Sequence, residues 1–136
     1  MVEVERRVSL AGSAEDVWDA IGDFSDMSWH PAARDTVLED RDGFVHRVVT
    51  LPDGSILVER LEDMDDSGKS YSYSIVEGPL PVSRYRSTLS IVANGKGCDV
   101  VWRCGFVARG MDEAAARDVV AGIYEAGFSA LTDRYG

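Results

Sequence analysis

The sequence predicts an α+β fold in which one curved antiparallel sheet of seven strands closes over a long C-terminal helix. Six consecutive segments with strand-like alternation lie between residues 36 and 108, and short turns rich in Gly, Asp, Asn and Pro separate them. Such turns join antiparallel neighbours, and the absence of crossover helices argues against a parallel sheet. Residues 112–134 then return to a helical period. No repeat or linker interrupts the chain, so residues 1–136 are predicted to form a single domain.

The N-terminal region predicts one strand followed by short helices. Residues 2–10 alternate broadly in strand fashion. Ser13, followed three residues later by Asp16, resembles a capping box and predicts the start of a helix. A second short helical turn fits between Gly22 and Trp29. The predicted order is therefore β-α-α-β-β-β-β-β-β-α.

The C-terminal two thirds of the chain predict the rest of the sheet and its helix. The six central strands are predicted at 36–40, 44–51, 55–63, 69–76, 83–93 and 99–108. Asp112 is a suitable N-cap for a helix at 112–134, which would be about 34 Å long. Its predicted apolar stripe consists of Ala116, Val119, Val120, Ile123, Gly127, Ala130 and Leu131. Gly122 and Gly127 each cost about 1 kcal/mol in a helix interior, so we expect close packing or room for a ligand beside them.

Composition excludes several classes of partner. The 136 residues are 45% hydrophobic and 28% charged, with a formal net charge of −10. This charge repels phosphate backbones and anionic lipid surfaces, so we expect no nucleic-acid partner and no integral membrane association. No apolar run approaches the ~18 residues of a membrane span, and the first residues resemble no leader, so a cytoplasmic protein is expected. Cys98 and Cys104 would lie roughly 20 Å apart on one strand, too far for a disulfide, so both are predicted to be reduced.

Strand alternation points to Glu59 as the first candidate for chemistry. Leu57, Glu59 and Leu61 share one face of their strand. If Glu59 faces an apolar cavity, its carboxyl group can exchange protons near neutral pH. Alternatively, Glu59 lies at the rim of the cavity and pairs with an arginine on a neighbouring strand. His46 shares a face with Val48 and could complete an acid–base pair with Glu59. A lone histidine is also common at surfaces or in structural hydrogen bonds, and this alternative stays open.

Aromatic and aliphatic side chains supply the other candidates for a cavity lining. Besides Leu57 and Leu61, the predicted ligand-binding residues are Trp29, Tyr71, Tyr73, Tyr85, Leu89, Trp102, Phe106, Val119 and Ile123. Most aromatic residues at such positions belong simply to the core, but Tyr73 and Tyr85 carry hydroxyls that could fix a polar group of a ligand. The sequence lacks metal-ligand spacing and any phosphate-cradling or dinucleotide motif. We therefore predict neither a metal nor a cofactor.

Several motifs together resemble a known group of proteins. These are Val17-Trp18 with Asp23-Phe24, then Trp29-His30-Pro31, and Glu77-Gly78-Pro79-Leu80-Pro81-Val82. They resemble the bacterial polyketide cyclase/dehydrase and lipid-transport proteins of the SRPBCC, or START-like, superfamily, and the likeness covers essentially the whole chain. The resemblance implies the helix-grip fold, which birch-pollen-allergen-like proteins share, and a hydrophobic pocket. Members bind, transport, cyclise or sense ligands, so the resemblance implies no single reaction.

A narrower resemblance reaches the lachrymatory-factor synthase of onion, in which a pocket glutamate and a pocket arginine are the catalytic pair. The glutamate corresponds to Glu59 in Val58-Glu59-Arg60-Leu61. The arginine corresponds to His46 in Gly43-Phe44-Val45-His46, and alternation predicts that Arg47 faces the opposite side. The resemblance thus implies Glu59 and His46 as the catalytic pair.

Three functions follow as hypotheses. The first is binding of a small, mostly hydrophobic molecule in an internal cavity. The second is a cofactor-free cyclase, dehydratase or isomerase with Glu59 as general acid or base and His46 as its partner. The third is a ligand-sensing interaction protein. The sequence leaves the oligomeric state open, including a homodimer.

Overall fold

A computed structural model describes all residues from Met1 to Gly136. In chain order its elements are β1 (Val2–Leu10), α1 (Ala14–Ile21), β2 (Asp35–Arg41), β3 (Phe44–Thr50), β4 (Ile56–Asp65), β5 (Ser70–Glu77), β6 (Val82–Asn94), β7 (Gly97–Ala108) and α2 (Glu113–Tyr135). The seven strands form one antiparallel sheet in the order β1-β7-β6-β5-β4-β3-β2. The predicted fold class is confirmed, with a curved sheet against a long C-terminal helix.

Irregular pairing bends two strands of the sheet. The register of β4 shifts between Val58 and Glu59, and that of β6 shifts between Ser83 and Arg86. Arg84 lies within the second shift and has a φ of 54°, in the left-handed region. Bulges of this kind increase local twist and bend a strand, so they help the sheet to curve around α2.

The first helix begins as the capping pattern predicts. The backbone N–H of Asp16 donates to Ser13 Oγ over 3.1 Å, which satisfies one of the free amides of the first turn. The buried side of α1 includes Val17, Trp18 and Ile21. Trp18 Nε1 donates to Asp66 Oδ1 over 2.7 Å and so ties α1 to the turn between β4 and β5.

The second short helix is absent, and turns occupy the segment between α1 and β2. Asp23 Oδ1 accepts from the backbone N–H of Ser25, and Asp26 Oδ1 accepts from that of Ser28, both over 2.9 Å. These local bonds give the backbone an alternative to helical pairing, which explains the difference from the prediction. The predicted order holds in every other element.

Helix α2 lies mainly against β1 and β7. Asp112 caps it by accepting from the backbone N–H of Ala115 over 2.8 Å. Its buried side consists of Ala116, Val120, Ala121, Tyr124, Gly127, Phe128 and Leu131. This side is rotated from the predicted stripe, because Val119 remains 37% exposed and Ile123 is only half-buried. The rotation turns Val119 and Ile123 toward a cavity and places two aromatic rings of the helix against the sheet.

The two interior glycines of α2 have different surroundings. A Cβ atom on Gly127 would lie 2.9 Å from His30 Cδ2 and 3.2 Å from Trp102 Cζ3, so this glycine permits close packing. A Cβ atom on Gly122 would meet no other atom within 4 Å. Close packing therefore explains Gly127 but not Gly122.

Strand β7 alternates regularly between buried and more exposed side chains. Val100, Trp102, Cys104 and Phe106 are all buried on one face, and Cys98 continues the same row. Cys98 and Cys104 are both free. Neither helix is at once long and apolar enough to cross a bilayer.

Candidate functional site

A cavity of about 410 Å³ lies between the sheet, α2 and the segment that joins α1 to β2. Of its 21 lining residues, 15 are hydrophobic. Pro52, Asp53 and Pro79 are exposed lining residues and mark the side on which the cavity meets solvent. The curvature of the sheet therefore leaves an apolar space that side chains do not fill, of the size typical of small-molecule sites.

Seven of the residues expected from the sequence line this cavity: Leu57, Glu59, Tyr73, Tyr85, Trp102, Val119 and Ile123. The other ligand-binding candidates, namely Trp29, Leu61, Tyr71, Leu89 and Phe106, pack in or against the core instead. Strand alternation groups residues by face only within each strand, so it made no prediction for Trp29, Val119 or Ile123. It could not show which part of the inner face of the sheet α2 and the segment between α1 and β2 would cover.

The cation that meets Glu59 is Arg47, not His46. Arg47 pairs directly with Glu59 across β3 and β4, whereas His46 pairs with Arg60, so the two neighbours face opposite sides of the sheet. Arg47 Nε donates to Glu59 Oε1 over 2.7 Å. His46 Nδ1 instead lies 2.9 Å from the carbonyl oxygen of Phe44, in its own strand. The prediction that Arg47 faces away from Glu59 is therefore wrong.

The register between β3 and β4 decides this orientation, and a single strand cannot reveal it. One signal in the sequence favoured Arg47 as the inward-facing residue, because Val49 and Leu51, on the same face of the strand, are both apolar. Both of them line the cavity in the structure. The face of His46 contains the polar Thr50. The two faces of the strand differ too little in hydrophobicity to correct the alignment of His46 with the arginine of the related enzyme.

The Arg47–Glu59 pair is almost completely shielded from solvent, with side chains 1% and 6% exposed. Arg47 Nη1 also donates to the carbonyl oxygen of Phe24 over 3.2 Å and to Tyr71 Oη over 3.4 Å. Burial opposes the guanidinium charge, but Tyr71 and Glu59 outweigh it, and the pKa of Arg47 is raised above its ordinary value. Arg47 is thus a permanent cation whose hydrogen bonds fix the orientation of Glu59.

Glu59 has one oxygen free for a ligand. Its Oε1 accepts from Arg47, and Oε2 has no hydrogen-bond partner in the protein. Trp29 Nε1 is the only fully enclosed side-chain nitrogen or oxygen without a partner, so Oε2 is not fully enclosed. Glu59 lines the cavity and its Oε2 is not fully enclosed, from which we infer that Oε2 faces the cavity.

A row of tyrosines forms the second polar part of the cavity wall. Trp102 Nε1 donates to Tyr73 Oη over 3.1 Å, and Tyr73 Oη lies 3.5 Å from Tyr85 Oη. Tyr85 Oη is hydrogen-bonded in turn to Tyr124 Oη. Burial raises the pKa of all three tyrosines above the ordinary range, so their phenols stay protonated.

Tyr124 was not among the residues expected from the sequence. Its ring stacks on Trp102 with centroids 4.1 Å apart and an interplanar angle of 9°. Its hydroxyl lies 2.9 Å from Ser87 Oγ, and Ser87 Oγ donates to the carbonyl oxygen of Arg103 over 2.9 Å. The spacing of Ala116, Val120 and Tyr124 along the helix is a signal that could have identified this residue.

His30 also lines the cavity, although it was not among the site residues expected from the sequence. Its Nδ1 accepts from the backbone N–H of Ala32 over 3.1 Å, so Nε2 carries the proton and donates to the carbonyl oxygen of Ile123 over 2.8 Å. Burial lowers the pKa of His30 despite the bond to Ile123, and the charge on Arg47 acts in the same direction as burial. His30 is therefore a neutral link between the loop and α2.

The family described as "polyketide cyclase / dehydrase and lipid transport" matches residues 1–136. The protein XoxI from Bacillus cereus has 30% sequence identity to this chain and a TM-score of 0.92, over 99% of this chain and 96% of its own. A START superfamily protein from Mycobacterium smegmatis has 16% identity and a TM-score of 0.78, over 98% and 96% of the two chains.

The Zhui aromatase/cyclase from Streptomyces is similar in fold, with 18% identity and a TM-score of 0.72 over 96% of this chain and 88% of its own. No protein with a curated description matches this chain. The match of the family over the whole chain agrees with the resemblance predicted from the sequence motifs.

Proposed function

This chain belongs to the polyketide cyclase / dehydrase and lipid transport family, and we propose that it binds one small, mostly hydrophobic molecule in its internal cavity. The observation that supports the proposal is the cavity itself, which measures about 410 Å³ and has 15 hydrophobic residues among the 21 that line it. Removal of apolar ligand surface from water would supply the driving force.

The neutral hydrophobic dye Nile red tests this proposal. Ile123→Trp adds bulk to the cavity wall and is expected to weaken dye binding about tenfold, the effect of a loss of ~1.4 kcal/mol of binding free energy. Val92→Trp is the matched control, because Val92 is 52% exposed and does not line the cavity. Equal binding by both variants and the unmodified protein would show that the dye binds elsewhere, and absence of binding would count against the proposal.

A second candidate function is proton-transfer catalysis by Glu59 in a cyclisation, dehydration or isomerisation without a cofactor. The accessible Oε2 beside an apolar space supports this candidate, because a carboxylate there could remove a proton from a bound substrate. Arg47 would act as a positioning residue through its bond to Oε1. The partner role that the sequence suggested for His46 passes to Arg47, because His46 lies on the opposite face.

The chromogenic probe 5-nitrobenzisoxazole tests for such a base. Removal of its ring C–H proton breaks the N–O bond and releases a coloured cyanonitrophenolate, so no other reactant is needed. Saturable ring opening that Glu59→Gln abolishes, while Nile red still binds, would support a catalyst. Glu125→Gln is the control, since Glu125 is exposed and outside the cavity. Equal rates in both variants would rule out Glu59 as a base for this probe and favour a carrier or sensor.

A further inference from the structure

The tyrosine row has a fixed direction of hydrogen bonding. The carbonyl oxygen of Arg103 can only accept, so the single hydroxyl proton of Ser87 is directed to it. Ser87 Oγ must then accept from the hydroxyl of Tyr124, 2.9 Å away. The proton of Tyr124 is therefore used outside the cavity, and Tyr124 Oη can only accept from Tyr85.

The same argument continues along the row. Tyr85 gives its one proton to Tyr124, so in the contact between Tyr73 and Tyr85 the proton belongs to Tyr73. Trp102 Nε1 in turn donates to Tyr73 Oη. Only when the protons point from Tyr73 to Tyr85, Tyr124, Ser87 and the Arg103 carbonyl in turn can all these contacts be hydrogen bonds at once. The protons of Tyr85 and Tyr124 are therefore held in short hydrogen bonds, whereas the proton of Tyr73 points to Tyr85 over a longer and weaker contact of 3.5 Å.

The protons of the other polar side chains of the lining are also engaged within the protein. His30 donates its Nε2 proton to the carbonyl oxygen of Ile123. At the mouth, Ser55 Oγ donates to Asp53 Oδ1. The lining contains two carboxylates, Glu59 and Asp53, and no Lys, Arg, Asn or Gln. Asp53 is exposed whereas Glu59 is buried, so Glu59 Oε2 is the unpaired carboxylate oxygen on the buried side of the lining.

Net charge narrows the choice of ligand further. Arg47 already balances the charge of Glu59, so the pair is neutral as a unit. A ligand carboxylate would bring a second anion beside Glu59, and no Lys, Arg, Asn or Gln side chain lines the cavity to donate to it. A ligand cation would add an unbalanced positive charge. A ligand carboxylate or a ligand cation would lose its hydration without an equivalent interaction in the cavity. A neutral hydroxyl would instead gain a charge-assisted hydrogen bond to Glu59.

We infer that the ligand is a neutral, mostly apolar molecule with a phenolic or alcoholic hydroxyl that donates to Glu59 Oε2, and that the cavity excludes apolar carboxylates such as fatty acids. This inference rests on the proposed ligand-binding function and specifies its chemistry. The raised pKa values of Tyr73, Tyr85 and Tyr124 support it, because protonated phenols keep the direction of the row unchanged.

Three naphthalene probes of nearly equal shape test the inference: 2-naphthol donates a hydrogen bond, 2-methoxynaphthalene cannot, and 2-naphthoate is an anion. Calorimetric titration at pH 7 should give a dissociation constant for 2-naphthol about tenfold or more below that for 2-methoxynaphthalene, the usual effect of a hydrogen bond to a charged group. 2-Naphthoate should bind most weakly of the three.

Glu59→Gln shows whether Glu59 causes the ranking. The amide removes the charge and adds a donor, so the preference for 2-naphthol over 2-methoxynaphthalene should shrink and 2-naphthoate should gain affinity relative to both. Glu125→Gln should keep the original ranking. If Glu59→Gln does not fold, the ranking in the unmodified protein decides the question alone.

The outcomes separate the inference from the function on which it rests. Equal binding of the three probes, or tightest binding of 2-naphthoate, would overturn the inference and leave the proposed function intact. Binding of Nile red without binding of 2-naphthol would also overturn it. Failure of every probe, including Nile red, would overturn the proposed function itself.

Discussion

At the level of single residues, the buried ion pair between Arg47 and Glu59 links stability to the candidate chemistry. Two charges this well shielded lose most of their hydration, and their mutual attraction and additional hydrogen bonds offset that loss. Arg47 contacts its surroundings also through its flat guanidinium, whose Cζ lies 4.1 Å from the centroid of the Phe24 ring. Removal of either charged group should therefore have a larger effect than removal of a surface charge.

We expect Arg47→Met to destabilise the fold by about 3–5 kcal/mol, because the Glu59 carboxylate would remain buried without its partner. The double variant with Glu59→Gln should recover part of this loss, since no unpaired charge remains. Urea unfolding measures both effects, and Arg6→Met, which breaks an exposed ion pair, is the control with an expected change of about 1 kcal/mol or less. Equal stability of single and double variants would contradict a tightly coupled pair.

His30 makes stability depend on pH. Its pKa is lowered in the folded state, so between that lowered value and the ordinary value of 6.5 the unfolded chain binds more protons than the folded protein. The contribution of His30 is therefore fully present above pH 6.5 and is lost as the pH falls toward the lowered pKa. Urea unfolding from pH 5 to 7 should show stability rising with pH, and His30→Gln should reduce the slope. Val120→Ala, which removes no titratable group, should keep the slope; a slope unchanged in His30→Gln would contradict this assignment.

At the level of elements, neighbouring side chains of α2 contribute to the core and to the cavity wall. Tyr124 and Phe128 pack toward the sheet, while Val119 and Ile123 border the cavity. Gly127 lets the loop that holds Trp29 and His30 approach the helix closely. The position of this loop thus depends on the absence of a side chain at one helical position.

The two glycines of α2 should respond oppositely to the same substitution. Gly122→Ala fills open space on the exposed side and should stabilise the fold by about 0.5–1 kcal/mol through helix propensity. Gly127→Ala introduces a Cβ atom 2.9 Å from His30 Cδ2, and should destabilise it by about 1–3 kcal/mol through overpacking. Thermal unfolding of the two variants serves as a matched comparison. A stabilised Gly127→Ala protein would refute the close approach.

At the level of the whole molecule, the sheet curves around α2 without filling the space on its inner side. The cavity borders β3, β4, β5, β6 and β7 as well as α2, so its shape depends on the sheet as a unit. The two cysteines both lie on β7 and are buried, and burial raises the pKa of each thiol. Their reactivity therefore reports on opening of the fold.

Thiol alkylation should distinguish the folded from the unfolded chain. Brief treatment of the native protein should leave both cysteines unmodified, because they are buried and their thiols resist ionisation. Treatment in denaturant without reductant should add two groups, which mass spectrometry counts. An intrachain disulfide would leave none in denaturant and would contradict the placement of both residues on one strand.

The sequence by itself determined every element except the segment between α1 and β2, where it predicted a second short helix that the structure lacks. Turn residues separated the strands, Ser13 and Asp112 marked the helix starts, and alternation placed Glu59, Tyr73 and Tyr85 toward the interior, because each of these signals is local. Only the tertiary structure decided that Arg47 rather than His46 meets Glu59, since that depends on the register between two strands. It also decided that Tyr124 completes the polar row and that Leu89 and Phe106 lie in the core, because the rotation of α2 against the sheet determines which part of the inner face stays open.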